Sequence, residues 1–123
     1  MNAIPFFATN AIHLWTGDVE DVPAVLKQNN IGANLTGATV RFVMKNHKGL
    51  TYQIPCNLGA TIEIVPGTPT TVSAAEGGVT IPFTTEHTSA ANIFVGIFIV
   101  TILERQSTFT NNGEPILVTI HAL

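Results

Sequence analysis

Between Thr39 and Asn46 the chain reads TVRFVMKN, where Val40, Phe42 and Met44 alternate with Arg41, Val43 and Lys45. Side chains on a strand point to opposite faces with a period of two, so this stretch predicts a half-buried strand with Val40, Phe42 and Met44 turned inward. The end of the chain repeats the alternation more weakly: Ile116, Val118 and Ile120 against Leu117, Thr119 and His121. By the same reasoning strands are expected over Ala11 to Thr16, Val22 to Gln28, Thr51 to Cys56, Thr61 to Val65, Val79 to Thr84, Phe94 to Glu104 and Pro115 to Ala122. The predicted core is Val40, Phe42, Met44, Phe83, Phe98, Val118 and Ile120.

The run from Phe94 to Leu103 breaks the alternation. Phe94, Phe98, Val100 and Ile102 on one face are answered by Val95, Ile97, Ile99 and Leu103 on the other. Its β-branched and aromatic content favours a strand over a buried helix, and a strand apolar on both faces needs a second cover. That cover is a neighbouring subunit or the N-terminal arm.

Turn residues punctuate the chain at Asn29-Asn30, Asn46 to Gly49, Pro66 to Pro69, Glu76 to Gly78 and Asn111 to Gly113. Short strands at such intervals are the pattern of an antiparallel sandwich or barrel. Pro66 to Val72 reads as a loop or an edge strand, because proline donates nothing to a ladder. Thr85 to Asn92 is the one stretch that reads as a helical turn, with Thr85 or Thr88 as its cap.

Composition narrows the function. The 123 residues fit a single domain, 1–123, in which residues 1–10 read as an extended arm. Net charge is -3 and the five cations do not cluster, which argues against nucleic acid. Only 11% of residues are charged, against about 25% in an ordinary soluble domain, and mean hydropathy is +0.36. A small domain buries only about two-thirds of its extended-chain surface, so this apolar excess points to cover by other chains. The lone Cys56 forms no intrachain disulfide and reads as a small buried hydrophobe. The apolar start MNAIPFFATNAIHLW lacks a basic region and is broken by Pro5, unlike a signal peptide, and IFVGIFIVTIL is too short for a spanning helix.

Candidate chemistry is sparse. His13, His47, His87 and His121 are not paired at metal-ligand spacing, so no metal or cofactor is expected. Asp18, Glu20 and Asp21 lack the alternating oxygens and closing glutamate of a calcium loop. No GxSxG elbow occurs, and Ser89 two residues after His87 is not a base and nucleophile pair by default, so an enzyme is not expected. Asn34-Leu35-Thr36 matches a glycosylation acceptor that has no meaning without secretion. Trp15, Tyr52 and Phe109 are the aromatics from which a sugar-stacking platform would be built, the basis of a carbohydrate-binding alternative.

Several motifs fall in a familiar order: Thr16-Gly17-Asp18, then NLTGATVRF from Asn34 to Phe42, EGGVTIPFT from Glu76 to Thr84, SAANIFVGIFIVTI from Ser89 to Ile102, and GEPILVTI from Gly113 to Ile120. Together they resemble the immunoglobulin-like N-terminal domain of the baseplate upper proteins of tailed bacteriophages. Asn34 stands where aspartate is usual, Asn92 where glycine is common, and the section from Cys56 to Thr71 is longer and richer in proline. The resemblance implies an all-β, immunoglobulin-like sandwich of about seven to eight antiparallel strands. It also implies a non-enzymatic virion structural protein of the tail, baseplate, fibre attachment or collar, with capsid decoration as an alternative. The partners it implies are other phage virion proteins, in a homo-oligomeric or particle-bound state within the virion, with no nucleic acid and no membrane. The candidate contacts are Phe6 and Phe7 in the arm and Val95, Ile97 and Ile99 on the outer face of the long strand, unless these close the domain's own core.

Overall fold

The computed structural model describes residues 11–28, 31–110 and 115–123. In chain order its strands are β1 (Ala11–Trp15), β2 (Glu20–Val25), β3 (Lys27–Gln28), β4 (Ile31–Gly32), β5 (Thr39–Lys45), β6 (Thr51–Pro55), β7 (Asn57–Leu58), β8 (Ala60–Val65), β9 (Thr68–Val72), β10 (Gly78–Phe83), β11 (Asn92–Ile102), β12 (Arg105–Phe109) and β13 (Ile116–His121). The large sheet has the order β1-β13-β11-β5-β6, with β12 also paired to β11. A smaller sheet has the order β2-β10-β7, and β3-β4 and β8-β9 are two-stranded.

Two features of this pairing define the architecture. Every pairing is antiparallel except β1 with β13, which run parallel from Ala11 opposite Leu117 to Trp15 opposite His121. The chain also alternates between the sheets, with β2 and β10 paired in one and β5, β11 and β13 joined in the other. This is the Greek-key arrangement of an immunoglobulin-like sandwich, with β1, β13, β11, β5 and β6 across its larger sheet. The cysteine pair that ties antibody sandwiches together is absent, since the chain has only Cys56.

Apolar packing joins the layers instead. Val22, Ala24, Val79, Ile81 and Phe83 of the small sheet and Ile12, Leu14, Val40, Phe42, Met44, Phe94, Phe98, Val118 and Ile120 of the large one belong to one buried cluster. The Phe42 ring meets Phe83 of the opposite sheet edge-on at 6.3 Å and Phe98 of its own sheet at 5.0 Å. Such aromatic contacts each add about 0.5–1.5 kcal/mol beyond the area they bury. Gly96 makes room for this arrangement, because a Cβ there would lie 2.2 Å from the end of the Phe42 ring.

The turn before β5 has the geometry its residues favour. The Thr36 amide donates to Asn34 Oδ1 at 3.0 Å, Ala38 N–H closes the turn on the Leu35 carbonyl at 2.9 Å, and Gly37 takes φ +78°. Leu35, 1% exposed, fixes the turn to the core. After β5, buried Asn46 accepts from the Lys48 and Leu50 amides at 3.0 and 2.9 Å and so closes the loop into β6.

Some expected boundaries move. Thr85 to Ala90 forms turns and bends rather than a continuous helix, and Asn92 already belongs to β11. The His87 and Thr88 amides both donate to the Thr84 carbonyl, at 3.0 and 3.3 Å, closing one helical turn, and Thr88 Oγ1 donates to the Asp18 carbonyl at 2.8 Å, tying this segment to the β1–β2 turn. Among the described residues a single 3-10 turn occurs, at Ala74–Glu76, where Ser73 and Glu76 form a capping box and Gly77 ends the turn at φ +92°. The strand expected over Val22 to Gln28 divides at Leu26, whose N–H still donates to the Gly77 carbonyl just before β10 while β3 turns away to pair with β4. Residues of the proline-rich section form the β8–β9 hairpin. The long strand ends at Ile102, so Leu103 lies in a turn, where it and Glu104 adopt φ of 49° and 67°. Beyond that turn β12 pairs back onto β11, with Phe98 opposite Phe109. Two residues back along β11, Gly96 pairs with Ile116 of β13, so β12 and β13 occupy one flank of β11 in succession.

Candidate interaction surface

Opposed residues in a sheet share a face, so the pairing registers define the outer surface of the large sheet. Leu117, Val95 and Lys45 form one row, Thr119 and Ile93 the next, and Val43 beside Ile97 and Arg41 beside Ile99 complete the centre. Ile93 is 59% exposed, Val95 and Leu117 are 45% exposed, and Ile97, Ile99 and Val43 are half-buried. Single exposed apolar residues are ordinary, whereas a continuous patch across three strands marks a contact surface. Trp15, 49% exposed, extends the patch to the β1 edge.

The electrostatics of this face are one-sided. Its outward strand positions carry Arg41 and Lys45 and no carboxylate among the described residues. Arg41 stands between Ile99 and Pro55 in the register, and its Nε is buried without a hydrogen-bond partner. A buried donor left unpaired costs about 1–3 kcal/mol, so this atom calls for an acceptor that no described residue supplies.

The edges of both sheets are less suited to association. In an antiparallel ladder the N–H and C=O of one residue point the same way, and successive residues alternate. Leu26 N–H bonds Gly77 and Cys56 N–H bonds Val40, so Pro23 of β2 and Pro55 of β6 face the free edges. Each removes the donor that an added strand needs. On β1 the outward groups of Trp15 are taken by Asp18, whose N–H donates to the Trp15 carbonyl at 3.0 Å while its Oδ2 accepts from Trp15 N–H at 2.9 Å.

The residues singled out from the sequence divide sharply. Val95, Ile97 and Ile99 come together on the outer face; Phe6 and Phe7 lie outside the described residues. Val40, Phe42, Met44, Phe83, Phe98, Val118 and Ile120 are all buried. The aromatic platform does not form: Trp15 is on one edge strand, Tyr52 is on the other edge donating to the Glu86 carbonyl at 3.1 Å, and Phe109 is buried. His87 turns to its own loop, its Nδ1 accepting from Thr84 N–H at 3.0 Å, and Ser89 is exposed. Burial holds the His87 pKa below its ordinary value, opposed by the charge of Glu86. Burial also pushes the Cys56 thiol up to about 12, partly offset by a backbone hydrogen bond from Phe42, which leaves it protonated and unreactive at neutral pH.

One cluster was invisible in the sequence. His13 and His121, far apart along the chain, are brought within hydrogen-bond distance by the parallel pairing of β1 and β13. No group of three or more His, Cys, Asp or Glu placed to hold a metal occurs among the described residues. No helix among them is long and apolar enough to cross a membrane.

Fold and surface together define an immunoglobulin-like β-sandwich that exposes an apolar sheet face with no carboxylate among the described residues. No family model and no curated protein sequence matches the chain. Among solved structures it is similar to the N-terminal domain of phage TP901-1 ORF48, with 91% of this chain and 83% of that one covered, a TM-score of 0.48 and 11% identity.

Proposed function

We propose that this chain is a non-enzymatic structural module of a tailed-phage virion, in the tail, baseplate, fibre-attachment or collar region. It docks onto another virion protein through the outer face of the large sheet. The observation that carries the docking role is the continuous apolar surface of Ile93, Val95, Ile97 and Leu117, beside sheet edges where Pro23 and Pro55 remove the donors for strand addition. The partner surface it fits is apolar and carries a carboxylate, which meets the Arg41 guanidinium, whose Nε has no hydrogen-bond partner. The virion setting rests on the ordered motifs from Thr16 to Ile120 and their resemblance to the baseplate upper proteins.

Mass spectrometry of purified particles from the producing phage tests this reading. The chain is expected in intact particles at a stoichiometric level, and Val95→Asp is expected to remove it while leaving the soluble protein folded. Absence of the wild-type chain from particles overturns the proposal, as does undiminished incorporation of the variant.

A further inference from the structure

On the outer face of β1 and β13, His13 lies beside Thr119 and Trp15 beside His121, so the two histidines are diagonal neighbours on one surface. His13 Nδ1 and His121 Nε2 are 2.9 Å apart, with their rings inclined by only 18°. Trp15, the single tryptophan of the chain, packs on His121 with ring centroids 4.9 Å apart. The other nitrogen of each imidazole makes no hydrogen bond to a described residue.

We propose that His13 and His121 form a bidentate site for a divalent transition-metal ion of the Cu²⁺ or Ni²⁺ type. Neutral imidazole is a good ligand for these ions, and two convergent ring nitrogens supply a chelate where one would bind weakly. The spacing selects among metals. With metal–nitrogen bonds of about 2.0–2.1 Å, a nitrogen separation of 2.9 Å subtends about 90° at the ion. That is the angle between adjacent ligands in square-planar or octahedral coordination, which Cu²⁺ and Ni²⁺ favour, whereas tetrahedral Zn²⁺ requires nitrogens about 3.3 Å apart.

In the metal-free protein a single proton is shared between the two facing nitrogens. Binding moves that proton to the outer nitrogen of the same ring through solvent, so both facing lone pairs become available and no net proton is released. The rings must also turn about their facing nitrogens, which stay about 2.9 Å apart, until both lone pairs meet at the ion. His13 is exposed and His121 half-buried, so little packing opposes the movement. Water occupies the remaining positions, which open outward from the sheet.

The test is titration of the full-length chain with NiCl₂ and, separately, CuCl₂ and ZnCl₂ at pH 7.5, read by calorimetry and by Trp15 fluorescence. One saturable site per chain is expected, with Cu²⁺ and Ni²⁺ bound more tightly than Zn²⁺. Bound Cu²⁺ should quench Trp15, because the ion sits beside the ring stacked on it. His13→Ala and His121→Ala should each weaken Ni²⁺ binding at least tenfold with an unchanged melting temperature, while His47→Ala leaves it unaltered. The absence of saturable binding overturns the proposal, and so does binding that persists in both His13→Ala and His121→Ala or that favours Zn²⁺.

Discussion

On the inward face of β11, Phe94, Gly96, Phe98 and Val100 are sealed against the second sheet; on its outward face Ile93 and Val95 are 59% and 45% exposed, and Ile97 and Ile99 are half-buried. The two sets are similarly apolar and come from one continuous strand. Hydropathy therefore does not decide which set is covered; the presence of an opposing layer does. The inner face has its layer in β2 and β10, and the outer face has none among the described residues. A side chain with a fixed neighbour contributes to folding, whereas one left facing water contributes only when another molecule arrives.

The comparison breaks first if inner-face substitutions fail to dominate stability. Phe98, fully buried and packed on Phe42, should be the costliest position, with Phe98→Ala losing about 3–5 kcal/mol in urea denaturation. Gly96→Ala tests the same face by adding an atom instead of removing several. The new methyl meets the Phe42 ring, which must leave its place between Phe83 and Phe98. Overpacking of this kind costs about 1–3 kcal/mol. A loss smaller than that of an outer-face variant at either site removes the distinction between the faces.

Outer-face substitutions sharpen it. Val95→Ser combined with Ile97→Thr should change unfolding free energy by less than about 1 kcal/mol, because both side chains already contact water. The same pair should abolish incorporation into particles under the proposed docking role. A large loss of stability in the free protein instead shows that these side chains complete the domain's own core.

Much of this contrast was legible in the sequence. The strict alternation of Val40, Phe42 and Met44 with Arg41, Val43 and Lys45 located β5 and its faces, because side-chain direction follows from backbone geometry alone. The doubled apolar pattern of β11 likewise marked a strand apolar on both faces. What periodicity does not encode is pairing between distant segments. The β1–β13 contact that joins His13 to His121 is set by the topology of the whole sandwich, and no local spacing foretells it. Nor did local pattern reveal β12, whose RQSTF has exposed side chains at every position except Phe109 and is a strand because β11 offers it a ladder. The helical turn expected within Thr85 to Asn92 is a single one, closed by the His87 and Thr88 amides on the Thr84 carbonyl, and Thr88 Oγ1 anchors it to the distant Asp18 carbonyl, a contact that local pattern does not encode.

Arg41 provides the finest test, because both readings of the outer face meet in one side chain. Its Nε is buried between apolar neighbours without an acceptor, a cost the free protein carries with no visible return. Arg41→Met keeps the length of the stem and removes the unpaired donor, so stability in the free protein should stay the same or rise by up to about 1 kcal/mol. In the docked state the balance reverses. A partner carboxylate facing a methionine would be desolvated without its counter-charge, so incorporation into particles should fall, with Arg41→Lys between the two because it keeps the charge but not the planar fork. If Arg41→Met leaves both stability and incorporation unchanged, the guanidinium has no partner and docking on this face depends on apolar contact alone.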